Sequence, residues 1–192
     1  MQMSTVTLNH FARHDGVIES IQSRISCVEG NLLTINYSAT GDLARLTIPA
    51  QGASGRADRL WEHTCFEAFL RVDNDSSYYE FNFSPSGEWA AYWFRGYRDG
   101  GPFAGEGAAS DIRVRRSAHC LELDAVVHLN RLPAMRLSAL LRIGLSAVIE
   151  ASDGTLSYWA LKHTGAKPDF HHPDSFAIEL SMPGRNEGKR IL

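Results

Sequence analysis

Residues 61–98, WEHTCFEAFLRVDNDSSYYEFNFSPSGEWAAYWFRGYR, decide the fold class. Three of the four tryptophans fall here, and aromatic residues at this density suit pleated, half-buried surfaces. Alternation with period two divides the run into three consecutive strands. In Thr64–Val72 one face carries Phe66, Ala68, Leu70 and Val72, the other Cys65, Glu67, Phe69 and Arg71. In Tyr79–Ser84 the aromatic face Tyr79, Phe81, Phe83 opposes Glu80, Asn82, Ser84. Trp89–Tyr97 sets Trp89, Ala91, Trp93, Arg95 and Tyr97 against Ala90, Tyr92, Phe94 and Gly96. Asn74–Ser77 and Ser84-Pro85-Ser86-Gly87 read as the intervening turns. Indole and phenol rings beside carboxylates and an amide suit a flat, polar ligand such as a sugar or a porphyrin.

The same grammar extends outward. His119–Leu129 alternates Leu121, Leu123, Ala125, Val127 and Leu129 with polar positions, and Asp153-Gly154 joins Arg142–Glu150 to Leu156–His163 as a hairpin. Further strands are expected at Ser4–Leu8, Val17–Cys27, Leu32–Ser38, Ala44–Ile48, Asp111–Arg115 and Phe176–Leu180. Short helical turns are expected near Arg56–Leu60 and Pro133–Leu137, and Gly96–Gly107 reads as an irregular glycine-rich loop. The expectation is an all-β chain, a single antiparallel β-sandwich over residues 1–182, followed by a frayed tail over 183–192.

A chain of 192 residues suits one domain, and at this size it buries roughly 70% of its unfolded surface. Its formal net charge of −3 lacks the basic excess that a nucleic-acid groove or an anionic membrane surface requires. Cys27, Cys65 and Cys120 are widely spaced, with no CxxC pair, so neither a zinc knuckle nor a redox motif is supported; Cys65 and Cys120 read as buried thiols. The N-terminal residues show no basic segment followed by an apolar run, and no stretch approaches a bilayer-spanning length. A soluble, cytoplasmic protein is expected.

Glu67, Glu80, Asn82, Trp93 and Arg95 come from successive strands that a meander brings side by side. On one face they form a patch of ring planes, acceptors and a forked donor, which is what sugar recognition needs. The competing reading pairs Glu67 or Glu80 with Arg71 or Arg95 at the sheet rim and puts Trp93 in the core. Glu67 and Glu80 are also a candidate carboxylate pair for glycoside hydrolysis, although no nucleophile elbow, HExxH, P-loop or dinucleotide fingerprint accompanies them. Among the eight histidines, His63, His163, His171 and His172 flank loops from which zinc or another transition metal is reachable. Their spacings are not those of a specific motif. Capping of loop backbone accounts for them equally well, and an interaction module with no small ligand stays open as a further reading.

The runs LWEHTCFEAFL, YYEFNFSPSGEWAAYWFRGYR, GLSAVIEASDGTLSYWALKH and KPDFHHPDSF resemble those of bacterial DOMON-like proteins, which are similar in fold to family 9 carbohydrate-binding modules. The resemblance runs from about Arg13 to Leu180. It implies a β-sandwich whose relatives bind sugars or haem, with a sugar-like small molecule as the expected partner. Two rings flank the sugar in family 9 modules, and Trp61 and Trp93 are the nominees here, with Trp159 as substitute. Haem in DOMON relatives is held by axial side chains such as Met and His; Met135, Met182 and the pair His63 and His163 are the residues available. Family 9 modules carry structural calcium, for which Asp73–Ser76 and Asp153 offer oxygens, although as polar hairpin turns they need no ion.

Overall fold

The computed structural model describes residues 3–12, 16–28, 32–105, 107–133, 135 and 140–181. The expected tail over 183–192, Met182 and part of the expected turn at Pro133–Leu137 lie outside them. Along the chain the strands are β1 (Met3–His10), β2 (Ile18–Val28), β3 (Leu32–Gly41), β4 (Gly55–Arg56), β5 (Cys65–Val72), β6 (Tyr78–Phe83) and β7 (Glu88–Gly96). Then follow β8 (Asp99–Pro102), β9 (Ala109–Arg116), β10 (Cys120–His128), β11 (Leu140–Glu150), β12 (Leu156–Ala160) and β13 (Ile178–Ser181). Among the described residues the only helices are short 3-10 turns, such as Leu60–Glu62 and Pro173–Ser175.

Where one sandwich of two sheets is expected, the strands join into one continuous sheet ordered β4-β7-β6-β5-β11-β12-β1-β2-β3-β10-β9, with β8 beside β7 and β13 beside β11. The cause lies in β1. Its residues Met3–Leu8 pair with β2, whereas Asn9 and His10 pair with Ala160 and Trp159 of β12, so one strand belongs to both halves. The halves share a core: Ile21, Tyr37 and Leu123 lie in the same apolar cluster as Phe66, Phe81 and Leu145. Across it the Tyr37 hydroxyl donates to the Glu67 carbonyl at 2.6 Å, so this buried polar tip is satisfied.

Strands β2, β3 and β10 alternate fully buried side chains with half-buried or exposed ones, as their period-two pattern requires. Strands β5, β6 and β11 do not. Nearly all of their residues are buried, because a second cluster built from Cys65, Phe69, Tyr78, Phe94 and Phe176 covers their outer face. The cover is formed by Phe170 and Phe176 of the segment 161–177 together with Leu60 and Ala57.

Four local expectations change. Ala44–Ile48 is not a strand: Asp42 caps a 3-10 turn at Leu43–Arg45, its Oδ1 accepting from the Ala44 N–H at 3.2 Å, and only Leu46 bridges to Ala151. Gly55 and Arg56 pair in parallel with Glu88 and Trp89, which displaces the expected turn to Leu60–Glu62. The glycine-rich run is regular in part, since Asp99–Pro102 folds back along β7. That close approach needs Gly100, where a Cβ would stand 2.1 Å from the Trp93 carbonyl oxygen. Cys120 is only half-buried, unlike Cys65.

Candidate ligand-binding pocket

Cross-strand register decides which side chains share the covered face. Glu67 lies opposite Asn82, which lies opposite Ala90; Phe69, Glu80 and Tyr92 form the next row, and Arg71, Tyr78 and Phe94 the one after. On the other side of β5, Ser146 pairs with Glu67 and Val148 with Cys65, and Tyr158 pairs with Val148. Above this floor stand Trp61 from the 3-10 turn, Arg98 from the β7–β8 turn, and Pro168, Phe170 and His171 from the covering segment. Together they bound an open cavity of about 600 Å³. Pockets for small ligands have this size and this mixture of ring surface with a few polar groups.

The floor carries two carboxyls out of water. Glu67 is 3% exposed and Glu80 6%. Ser146 Oγ donates to Glu67 Oε2 at 3.0 Å, and Asn82 Nδ2 to Glu80 Oε1 at 2.7 Å. Burial pushes the Glu67 carboxyl up to about 8, with further upward pressure from Glu80; burial likewise pushes Glu80 up to about 7. The bonds from Ser146 and Asn82 and the Arg98 guanidinium pull the other way and do not win. The two titrate as a pair. Their neighbours stay uncharged: burial raises the Cys65 thiol and the Tyr37 phenol, and burial followed by Arg98 lowers His171 to about 4.

Asp169 ties the cover to the sheet. Its carboxylate accepts from the Tyr97 hydroxyl at 2.8 Å, from Arg98 Nη2 at 2.9 Å and from the His171 N–H at 3.2 Å. Arg98 sits in the left-handed region at φ 53°, uncommon for a residue with a side chain. That conformation directs its backbone N–H to the Tyr78 hydroxyl at 3.1 Å.

Of the six residues expected in a ligand patch, Glu67, Glu80 and Asn82 share the floor and Trp61 stands at the rim, 39% exposed and edge-on to Tyr92 at 5.6 Å. Trp93 and Arg95 do not join them. Trp93 pairs with Tyr79, whose ring is in the core, so both lie on the opposite side of β7; Trp93 is 39% exposed there, between β6 and β8, and Arg95 is held by Asp99 at 2.7 Å. Trp159 is a core residue. The arginines do not neutralise the buried pair: Arg95 binds Asp99, and Arg71 lies over the Phe176 ring at 4.9 Å. Tyr92, Phe94, Arg98, Tyr158 and Phe170 were not nominated, and the pocket needs them.

The histidines scatter. His63 Nδ1 meets Glu150 Oε2 at 2.8 Å, His163 Nε2 meets the Asn9 carbonyl at 2.7 Å, and His172 accepts from the Asp174 N–H. Only His171 lines the cavity, with Nδ1 on the Tyr78 hydroxyl at 2.9 Å and Nε2 turned towards Glu80 Oε2 at 3.6 Å. Among the described residues no three His, Cys, Asp or Glu side chains are grouped to hold a metal. Haem does not fit the described residues expected to hold it, since Met135 packs in the core, His63 Nδ1 is engaged by Glu150 and His163 Nε2 by the Asn9 carbonyl. Calcium does not fit the Asp73–Ser76 turn either: Asp73 is paired with Arg142 at 2.9 Å and Asp75 accepts from the Ser77 N–H at 2.9 Å. Asp153 in turn accepts from the Thr155 N–H at 2.9 Å.

No protein-family model matches the chain, and no curated protein matches it. Solved structures do. A family 9 carbohydrate-binding module from Caldicellulosiruptor kristjanssonii in complex with cellotriose aligns over 99% of this chain and 87% of its own, with TM-score 0.55 and 10% identity. In fold, this chain is similar to family 9 carbohydrate-binding modules. The glucose complex of a family 9 module from that organism aligns over 96% and 88%, with TM-score 0.53 and 11% identity. A protein from Bacteroides uniformis, assigned as carbohydrate-binding, covers 90% of this chain and 83% of its own, with TM-score 0.66 and 16% identity. At such identities the likeness is one of fold.

Proposed function

We propose that this chain is a sugar-binding domain of the DOMON-like, family 9-like class, and that its ligand occupies the cavity above Glu67 and Glu80. The observation that carries the reading is the cavity itself: about 600 Å³, walled by aromatic rings and floored by buried hydrogen-bonding groups. Sugar C–H faces pack on rings such as Trp61 and Tyr158, while hydroxyls exchange hydrogen bonds with the carboxyls below and with Arg98 at the side. The fold likeness to sugar-complexed modules supports it. The three free thiols are compatible with the cytoplasmic placement that forms part of the proposal.

Glu67 and Glu80 also raise hydrolysis, but their placement favours binding. Glycosidic cleavage needs two carboxyls that flank the scissile bond. These two rise from adjacent strands of one floor and meet a ligand from the same side. The experiment is calorimetric titration of neutral, acetylated and amino sugars into the wild-type chain and into Trp61→Ala. Binding of at least one sugar class, weakened in the variant, is expected. Absence of binding by every class, or binding indifferent to Trp61, overturns the proposal.

A further inference from the structure

Charge accounting at the cavity leaves two groups unbalanced. Around it Arg98 is taken by Asp169, Arg59 by Glu62 and His63 by Glu150. Farther along the same face Arg142 is taken by Asp73 and Glu179, and Lys162 by Asp174, while Arg71 lies over Phe176 towards a separate groove. His171 is neutral at pH 7, because burial and Arg98 hold its pKa low. Glu67 and Glu80, both more than nine-tenths buried, are left with one neutral donor each. Glu67 Oε1 and Glu80 Oε2 accept no hydrogen bond from the described residues, since the 3.6 Å approach of His171 is too long for one. Both carboxyls line the cavity, beside the rings of Tyr92 and Phe94 and beneath Trp61.

A carboxyl pair in an aromatic chamber, with its nearest guanidinium, Arg98, ion-paired to Asp169 instead, is complementary to a cation. The rings favour an ammonium through their quadrupoles, and the low-dielectric floor strengthens its attraction to the carboxylates. The geometry points to a ligand that carries a protonated amine seated between Glu67 and Glu80, and hence to an amino sugar with a free amine as the ligand class. This rests on the sugar reading above. The chamber sets its own selectivity: a neutral sugar leaves the pair to hold its proton, while an ammonium ionises the pair and drives that proton to solvent.

The test is calorimetric titration of the full chain at pH 7 with glucosamine, glucose, N-acetylglucosamine and benzylammonium, in two buffers of different ionisation enthalpy. Glucosamine is expected to bind at least about tenfold tighter than glucose or N-acetylglucosamine, with proton release. Both the preference and the release should disappear in Glu67→Gln and Glu80→Gln, with folding checked by circular dichroism. If glucose or N-acetylglucosamine binds as tightly as glucosamine, the amine inference is overturned and the sugar reading stands. Binding of benzylammonium with proton release, while no sugar binds, keeps the cation site and overturns the sugar reading. No heat from any probe overturns both.

Discussion

Raising the pH from 6.5 to 8 should weaken the fold, and replacing Glu67 by glutamine should remove most of the effect. In the folded chain Glu67 and Glu80 hold their protons up to about 8 and about 7; in the unfolded chain both let go near 4.3. The folded state therefore binds more protons across this window, and stability falls as pH rises. His171 acts in the opposite sense, since its folded value of about 4 lies below the ordinary histidine range. Its contribution grows as pH rises and is nearly complete by 6.5, which is why the window starts there. Integrating the excess protons from 6.5 to 8 and subtracting the residual histidine effect leaves a loss of about 2 kcal/mol. Neither carboxyl is exposed enough for solvent to discount this. For a chain of this length the unfolding midpoint should drop by roughly 4–8 °C. Glu67→Gln keeps the shape and removes the larger contribution, leaving a fall below about 1 kcal/mol from Glu80. Thermal unfolding followed by circular dichroism at half-unit pH steps reads both. A wild-type midpoint that is flat or rising over this window, or an undiminished fall in Glu67→Gln, would refute the buried-pair reasoning.

Three other perturbations bear on separate links. Trp61→Ala should weaken a bound sugar by about tenfold, whereas Trp93→Ala, on the far side of β7, should leave the calorimetric affinity unchanged. Asp169→Asn removes the charge that holds Tyr97 and Arg98; it should cost about 1 kcal/mol in denaturant unfolding and free Arg98 to pull the carboxyl pair down, which flattens the alkaline limb described above. Phe81→Ala opens a cavity in the fully buried core and should cost about 3–5 kcal/mol in the same unfolding assay.

Much of the fold was legible because period-two alternation is a direct imprint of a half-buried sheet. Ser4–Leu8, Tyr79–Ser84, Trp89–Tyr97 and the Asp153-Gly154 hairpin correspond closely to observed elements. What alternation does not carry is pairing. The bifurcation of β1 between β2 and β12, which turns two sheets into one, depends on long-range partners. Ala44–Ile48 was misread because the cap from Asp42 is a local polar competition that an apolar pattern does not register.

The site was half legible for a reason of parity. Ser84 pairs with Glu88 around a three-residue turn, so even-numbered residues of β6 face even-numbered residues of β7. Glu80 therefore shares its face with Tyr92, and the odd-numbered Trp93 and Arg95 fall on the other side. The sequence marks Ser84-Pro85-Ser86-Gly87 as a turn but does not give its register, and it is that register which puts Tyr92 and Phe94 in their place. The covering residues Phe170 and His171 and the latch Asp169 come from a loop, where no periodicity announces a position. The buried state of Glu67 depends on that cover, so its chemistry was beyond the strand pattern too.

The central claim is that the ligand sits on the floor of Glu67 and Glu80 beneath Trp61. The four indole N–H signals of a nitrogen-15 spectrum report on it directly, because the tryptophans divide between the pocket rim and elsewhere. On titration with glucosamine, the Trp61 signal should move and saturate while those of Trp93 and the core residue Trp159 stay in place. A saturating shift at Trp93 with Trp61 unmoved would contradict the account, as would a spectrum that no sugar perturbs.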